Sequence, residues 1–171
     1  MARTDLFDLA ALRLAPGEGR RLTLEVEQDP FELAGERYDV DPGEVPVALD
    51  VSRMVGHGCA LRLRFEATVR GRCMRCLEPA APSVVIDARE VDVPGEGEET
   101  DSPYVDGEVL DLRRWVHDAV ALAMPVQVVC DPQCPGLCPE CAIPLARAGP
   151  DHPHERPPDP RWAALRELKL D

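Results

Sequence analysis

The stretch Cys130-Asp-Pro-Gln-Cys134-Pro-Gly-Leu-Cys138-Pro-Glu-Cys141 sets four cysteines within twelve residues and interleaves them with Pro132, Pro135, Gly136 and Pro139. Proline fixes φ and lacks an amide donor, so no regular helix or strand can run through this segment. Soft ligands on a turn-rich loop point to metal. A second pair, Cys73-Met74-Arg75-Cys76, lies upstream, and His152-Pro153-His154 lies downstream. The sequence question is how these eight ligands are shared out.

The setting supports a metal rather than a disulfide reading. The first residues, MARTDLFDLA, lack a basic region followed by an apolar one, and the best apolar run, Ala119 to Met124, is far too short to span a membrane. A cytoplasmic location is the expectation. In that reducing compartment, closely spaced cysteines are expected to be metal ligands or redox groups. Aromatic residues make up only 4% of the 171 residues, so the core must be built from Val, Leu and Ala, and a metal clip would help it. The 32 acidic against 19 basic side chains give a net charge of -13, which disfavours nonspecific binding to nucleic acid or anionic membrane and favours a basic partner.

Periodicity along the chain predicts a strand-rich body. Residues 5 to 14 suit a strand or a short helix. Residues 20 to 28 alternate, with Leu22, Leu24 and Val26 on one face. A polar connection follows. Residues 45 to 55 place Val47, Leu49 and Val51 on alternate positions, and Gly56-His57-Gly58 is expected to turn. Residues 60 to 70 are the clearest strand, with Leu61, Leu63, Phe65, Ala67 and Val69 opposite Arg62, Arg64, Glu66, Thr68 and Arg70. Its return strand is expected over 83 to 93, which puts Cys73 and Cys76 at a hairpin end. Residues 94 to 103 form an acidic, solvated loop. Asp111 then caps a helix to Met124, with Leu112, Trp115, Val116, Ala119, Leu122 and Ala123 as the apolar stripe. Asp159-Pro160 is expected to start a short terminal helix carrying Trp162, Leu165 and Leu168. The expected fold is α+β, mostly antiparallel sheet with one main helix. A β-rich body over 1–129 and a zinc-binding, loop-rich C-terminal lobe over 130–171 would form one integrated domain.

A structural zinc site takes four ligands in a tetrahedron, and two cysteines separated by two residues can fill adjacent vertices. Eight ligands make two complete sites. The grouping that uses them all joins Cys73 and Cys76 to Cys130 and Cys134, and Cys138 and Cys141 to His152 and His154. His152 precedes a proline and is biased to extended backbone, where positions i and i+2 point the same way. The rival grouping joins Cys73 and Cys76 to Cys138 and Cys141 and leaves the histidines solvated. Cys59 stands outside both as a buried strand-end thiol.

The run Cys73-Met-Arg-Cys76-Leu-Glu-Pro79, the acidic loop, Asp111-Leu opening a helix that ends Ala-Met-Pro125, the Cys130 to Cys141 motif and the closing Asp159-Pro-Arg-Trp resemble the YceD family of large ribosomal RNA subunit accumulation proteins. The resemblance spans nearly the whole chain in the same order. It implies a bacterial cytoplasmic protein, not an enzyme, that is needed for 23S ribosomal RNA accumulation and large-subunit biogenesis. Its gene would neighbour that of a small zinc-ribbon protein of the large subunit. This chain departs from the family's pattern in having Ala142 where glycine is common, and His152 and His154 where a further cysteine pair is common. Histidine can replace cysteine as a zinc ligand. Alanine is harder: if position 142 needs positive φ, it costs roughly 1 kcal/mol relative to glycine.

Two partners suit such a role. Arg53, Arg62, Arg64, Arg70, Arg72 and Arg75 cluster on or beside the hairpin that carries Cys73 and Cys76, where they could meet ribosomal RNA phosphates. No aromatic stacking platform accompanies them, which argues against reading single-stranded sequence. A basic ribosomal protein is the alternative, and the acidic surface favours it. No small-molecule substrate is indicated. Readings from other classes are a zinc-dependent redox or sensor protein and a structural zinc adaptor unrelated to ribosomes. Prolines after the Cys73 pair remove the strand-to-helix placement that lowers a thioredoxin-type thiol pKa, and no H-E-x-x-H or P-loop motif occurs. His117 falls off its helix's main stripe, and His57 suits a turn.

Overall fold

The computed structural model describes residues 5–56, 58–95, 101–149 and 152–154. In chain order the elements are β1 (Leu6–Asp8), a 3-10 turn (Ala10–Leu12), β2 (Gly19–Glu27), β3 (Phe31–Leu33), β4 (Glu36–Asp41), β5 (Glu44–Arg53), β6 (Cys59–Arg72), β7 (Pro79–Ala80), β8 (Ser83–Asp92), β9 (Val105–Asp106), β10 (Val109–Asp111), α1 (Leu112–Ala123) and α2 (Leu145–Ala148). Every strand pairing is antiparallel. The fold is α+β and mostly antiparallel sheet, as the alternation implied.

The long strand β6 organises the body. On one side it pairs with β5 through its first half and with β4 near its end; on the other it pairs with β8 and then β7. Strand β2 extends the sheet beyond β5, and β3 extends it beyond β4. Leu61, Leu63, Phe65, Ala67 and Val69 of β6 are buried, as are Val45, Val47, Leu49 and Val51 of β5 and Val84 and Ile86 of β8. One face of the sheet is therefore the core, and each buried Val, Leu, Ile or Phe side chain contributes about 1.5–3 kcal/mol by leaving water. A smaller sheet, ordered β1-β10-β9, leads into α1.

The N-terminal segment contains both a strand and a 3-10 turn, the two alternatives open in the sequence. The stretch read as a polar connection holds the β3–β4 hairpin. Leu33 pairs with Glu36, which leaves Ala34 and Gly35 as a two-residue turn, both at positive φ (53° and 82°). This is the left-handed turn that suits strand twist, built with alanine where asparagine would have signalled it. Phe31, Tyr38 and Val40 of this hairpin are buried.

Helix α1 begins where the Asp111 carboxylate accepts the Arg114 amide at 3.0 Å, and ends at Met124, held extended by the following Pro125. Leu112, Trp115, Val116, Ala119 and Val120 are buried. Leu122, expected in the stripe, is 86% exposed. Val120 and Leu122 flank the stripe on opposite sides, and Val120 is the one that is buried. The expected terminal helix lies outside the described residues, as do His57 and residues 96–100 of the acidic loop. Among the described residues, no helix is long and apolar enough to cross a membrane.

Candidate metal centres

The tip of the β6 hairpin is fixed by close packing. A Cβ at Gly71 would run into the Tyr38 ring, and the Tyr38 hydroxyl donates to the Arg72 carbonyl at 3.0 Å. Beyond it, the Cys73 amide donates to Glu78 O at 2.7 Å, and the Leu77 amide donates to Cys73 O at 2.9 Å. The same two bonds recur at the second pair: Cys138 N–H to Ile143 O at 2.8 Å and Ala142 N–H to Cys138 O at 2.9 Å. Leu77 and Ala142 are both left-handed, with φ of 63° and 57°. Position 142 thus has the positive φ at which alanine is costly. Proline follows two residues later in each, at Pro79 and Pro144. The chain builds one knuckle twice. Sequence reasoning missed this equivalence, although the signal Cys-x-x-Cys-x-x-Pro is present at both places.

The first knuckle meets the segment after α1. The Met74 amide donates to Val128 O at 2.8 Å, and Arg75 donates to Gln127 Oε1 at 3.0 Å and to the carbonyls of Pro132 and Cys134 at 3.4 Å. These bonds bring the Cys73 Sγ to 3.8 Å from Cys134 Sγ, and Cys76 Sγ to 3.5 Å from Cys130 Sγ. All four sulfurs lie within 4.8 Å of one another, and Cys73, Cys76 and Cys134 are buried. At Cys130 the chain turns through Cys134 N–H to Asp131 O at 2.9 Å and Gln133 N–H to Asp131 Oδ1 at 2.7 Å.

The second knuckle gathers the histidines. Cys138 Sγ lies 3.1 Å from His154 Nε2, Cys141 Sγ 3.1 Å from His152 Nε2, and the two Nε2 atoms 2.9 Å apart. These four donor atoms also lie within 4.8 Å of one another. Nδ1 of His154 faces the Glu140 carboxylate at 3.6 Å, so the ring's other nitrogen is turned to the cluster. Between the knuckles, Gly136 has φ of 82°, and its carbonyl accepts the Leu145 amide at 2.9 Å. A Cβ there would sit 3.3 Å from the Arg75 carbonyl. The structure therefore brings together Cys73, Cys76, Cys130 and Cys134, and separately Cys138, Cys141, His152 and His154. Cys73 and Cys76 do not join Cys138 and Cys141.

Electrostatics favour a cation in each cluster. Burial opposes the Cys73 thiolate, but backbone N–H groups of Cys130, Arg75 and Cys76 outweigh it and hold the thiol down to about 6. Cys138 is likewise held down to about 6, by the backbone of Cys141 and Glu140. Neighbouring thiols push the other way: beside Cys76, and then through burial, Cys130 is pushed up to about 12. Cys76 is also raised, since burial and the adjacent Cys73 outweigh the Glu78 backbone contact that favours its thiolate. Backbone dipoles favour the Cys73 and Cys138 thiolates, and a positive ion would offset the mutual opposition that raises Cys76 and Cys130.

The donors fit such an ion. A tetrahedral ion about 2.3 Å from sulfur needs sulfurs about 3.8 Å apart; in the first cluster two of the separations are 3.5 and 3.8 Å, and all lie within 4.8 Å. In the second, the donors sit a few tenths of an ångström closer than the roughly 3.3–3.6 Å edges of a mixed sulfur and nitrogen tetrahedron. They would ease apart around an ion. Each cluster could hold a metal ion with four protein donors.

The other candidate residues lie elsewhere. Arg62 pairs with Asp87 at 2.6 Å, Arg64 with Asp50 at 2.8 Å, Arg70 with Asp41 at 2.7 Å, and Arg72 faces Glu36 at 3.9 Å. Arg75 is committed to the first cluster, and Arg53 lines a surface cavity with Arg13 and Cys59. Cys59 begins β6 as a buried thiol that burial pushes up. His117 is half-buried and stacks on Phe31 with ring centroids 4.2 Å apart.

Comparison with known proteins gives a consistent setting. A family model described as large ribosomal RNA subunit accumulation protein YceD matches residues 61–169, which includes every ligand of both clusters. An uncharacterized protein of Mycobacterium tuberculosis is 34% identical over 168 residues, covering 94% of this chain and 79% of the relative. An uncharacterized protein of Mycobacterium leprae is 35% identical over 172 residues, covering 95% of this chain and 76% of the relative. No solved structure matches the chain.

Proposed function

The chain belongs to the YceD family, and on that premise we propose that it is a non-enzymatic, cytoplasmic factor for large ribosomal subunit biogenesis and 23S ribosomal RNA accumulation. It holds two structural zinc ions and acts by binding a basic large-subunit ribosomal protein. The observation that carries the reading is the pair of four-donor clusters within the segment matched by the family model. Four protein donors leave no open position on zinc for water or substrate, which is the arrangement of a structural rather than a catalytic site. The first cluster fastens the chain after α1 to the β6 hairpin tip, and the second fastens the segment at 152–154 to the Cys138 knuckle.

A protein partner is favoured over direct RNA contact by the state of the arginines. Arg62, Arg64 and Arg70 each hold a carboxylate within 2.8 Å. Phosphates would have to displace these partners, while the net charge of -13 attracts a basic protein. The test is affinity capture of the full-length chain with and without ribonuclease, alongside ribosome profiles after depletion. Ribonuclease-resistant recovery of a basic large-subunit protein, together with a deficit of large subunits, is expected. Recovery of no large-subunit component with normal profiles would overturn the reading, and recovery lost on ribonuclease treatment would move the contact to RNA.

A further inference from the structure

Strand β8 is an edge. It pairs with β6 along one side and with no other strand among the described residues. Ser102 meets Glu90 (3.4 Å) and Asp92 (3.1 Å) through their side chains, which leaves the β8 main chain without a described partner on its outer side. Alternate residues of β8 direct their N–H and C=O groups away from β6, and among the described residues this row forms a template for another strand. The outward face of β8 carries Val85, Asp87, Arg89 and Val91; Val85 is 77% and Val91 50% exposed. Arg89 makes no side-chain hydrogen bond or ion pair among the described residues, whereas Asp87 is held by Arg62.

Charges on an edge strand commonly block pairing with other chains. Here their order does the opposite for one specific partner. When two copies of β8 pair antiparallel with their outward faces on the same side, opposed residues share parity along the strand. With Ala88 opposite Ala88, Asp87 lies against Arg89 of the second copy and Val85 against Val91 of the second copy, each twice. Sliding one step either way brings Asp87 against Asp87 or Arg89 against Arg89. Only the Ala88-centred register matches both charge and apolar contact, and opposite-charge and β-branched pairs across strands are favourable where like charges are not. On the inner face the same register sets Ile86 beside Glu90, whose carboxylate is already turned to Ser102.

We propose that the free edge of β8 is a self-association surface, on which a second copy of this chain pairs antiparallel about Ala88 to make one continuous sheet. The interface is a strand ladder rather than a broad apolar face, so the dimer is weak and concentration-dependent.

Sedimentation velocity across a dilution series of the full-length, metal-loaded chain tests this. The wild type is expected to pass from monomer to dimer. Arg89→Asp opposes two acids across the axis, and Asp87→Arg opposes two arginines; each weakens self-association by about tenfold or more. Mixing these two variants restores complementarity and yields a heterodimer. Asp87→Arg also loses the Arg62 contact and could fold poorly, so Val85→Lys, at an exposed position outside that pair, serves as a second disrupting variant. Circular dichroism confirms that each variant is folded. A wild type that stays monomeric at its highest soluble concentration, a dimer indifferent to Arg89→Asp and Val85→Lys, or folded variants that fail to form the heterodimer would each overturn the proposal.

Discussion

Cys73 and Cys134 are 61 residues apart in the chain, and their sulfurs lie 3.8 Å apart. One sits at the tip of the β6 hairpin, the other on a loop after α1. A metal ion across these sulfurs would close a long loop and remove much freedom from the unfolded chain, from which a core poor in aromatics would gain. The Cys130 to Cys141 segment faces two ways, its first two cysteines toward the hairpin and its last two toward the histidines.

The knuckle geometry makes Ala142→Gly a stabilising substitution. Ala142 has φ of 57°, a conformation that costs a residue with a Cβ about 1–2 kcal/mol. Glycine removes that cost and loses part of the gain to its greater freedom when unfolded. Denaturant unfolding of the metal-loaded protein is expected to show a gain of about 0.5–1 kcal/mol. A loss would contradict the strained geometry.

Gly71→Ala is expected to destabilise. Its methyl group would collide with the Tyr38 ring, which is buried and tied by its hydroxyl to Arg72 O at 3.0 Å. Overpacking of this kind costs about 1–3 kcal/mol. Because the ring braces the strand that leads to Cys73, thermal melts of Gly71→Ala should fall and thiol accessibility at the first cluster should rise. An unchanged melt would show that the contact relaxes freely.

Asp50 gives the acid limb of stability a named source. Its hydrogen bond from Arg21 outweighs burial, Arg64 adds a second, and together they hold the carboxyl below its usual range. The folded pKa is therefore depressed. The stabilisation is present above the ordinary carboxylate pKa and is lost as pH falls through the lower folded value. Asp50→Asn should lower stability by about 1 kcal/mol at neutral pH, and the difference should shrink on acidification. Urea midpoints measured from neutral pH downward check this; a difference that grows toward acid would contradict it.

Strands with strict alternation were legible in the sequence because only one face of the sheet is buried: β5, β6 and β8 all follow their apolar periods. The hairpin turned by Ala34-Gly35 was not, since alanine stands where asparagine or aspartate would mark such a loop. Leu122 and Val120 flank one helix stripe almost equally, and tertiary packing decides between them. At the clusters, spacing singled out the candidate residues, and the structure sets the Cys73 pair beside Cys130 and Cys134 and the Cys138 pair beside the histidines. The hydrogen bonds that make the two knuckles alike had no periodicity to reveal them. Nor could the sequence show that Arg62, Arg64 and Arg70 each face a carboxylate, because those partners come from neighbouring strands.

Metal stoichiometry measured by native mass spectrometry on the wild type and on a His152→Ala, His154→Ala variant bears most directly on two separate four-donor centres. The account predicts two zinc ions per wild-type chain and one in the variant, with the remaining ion lost when Cys73→Ala is added. One ion in the wild type, unchanged by loss of both histidines, would contradict it.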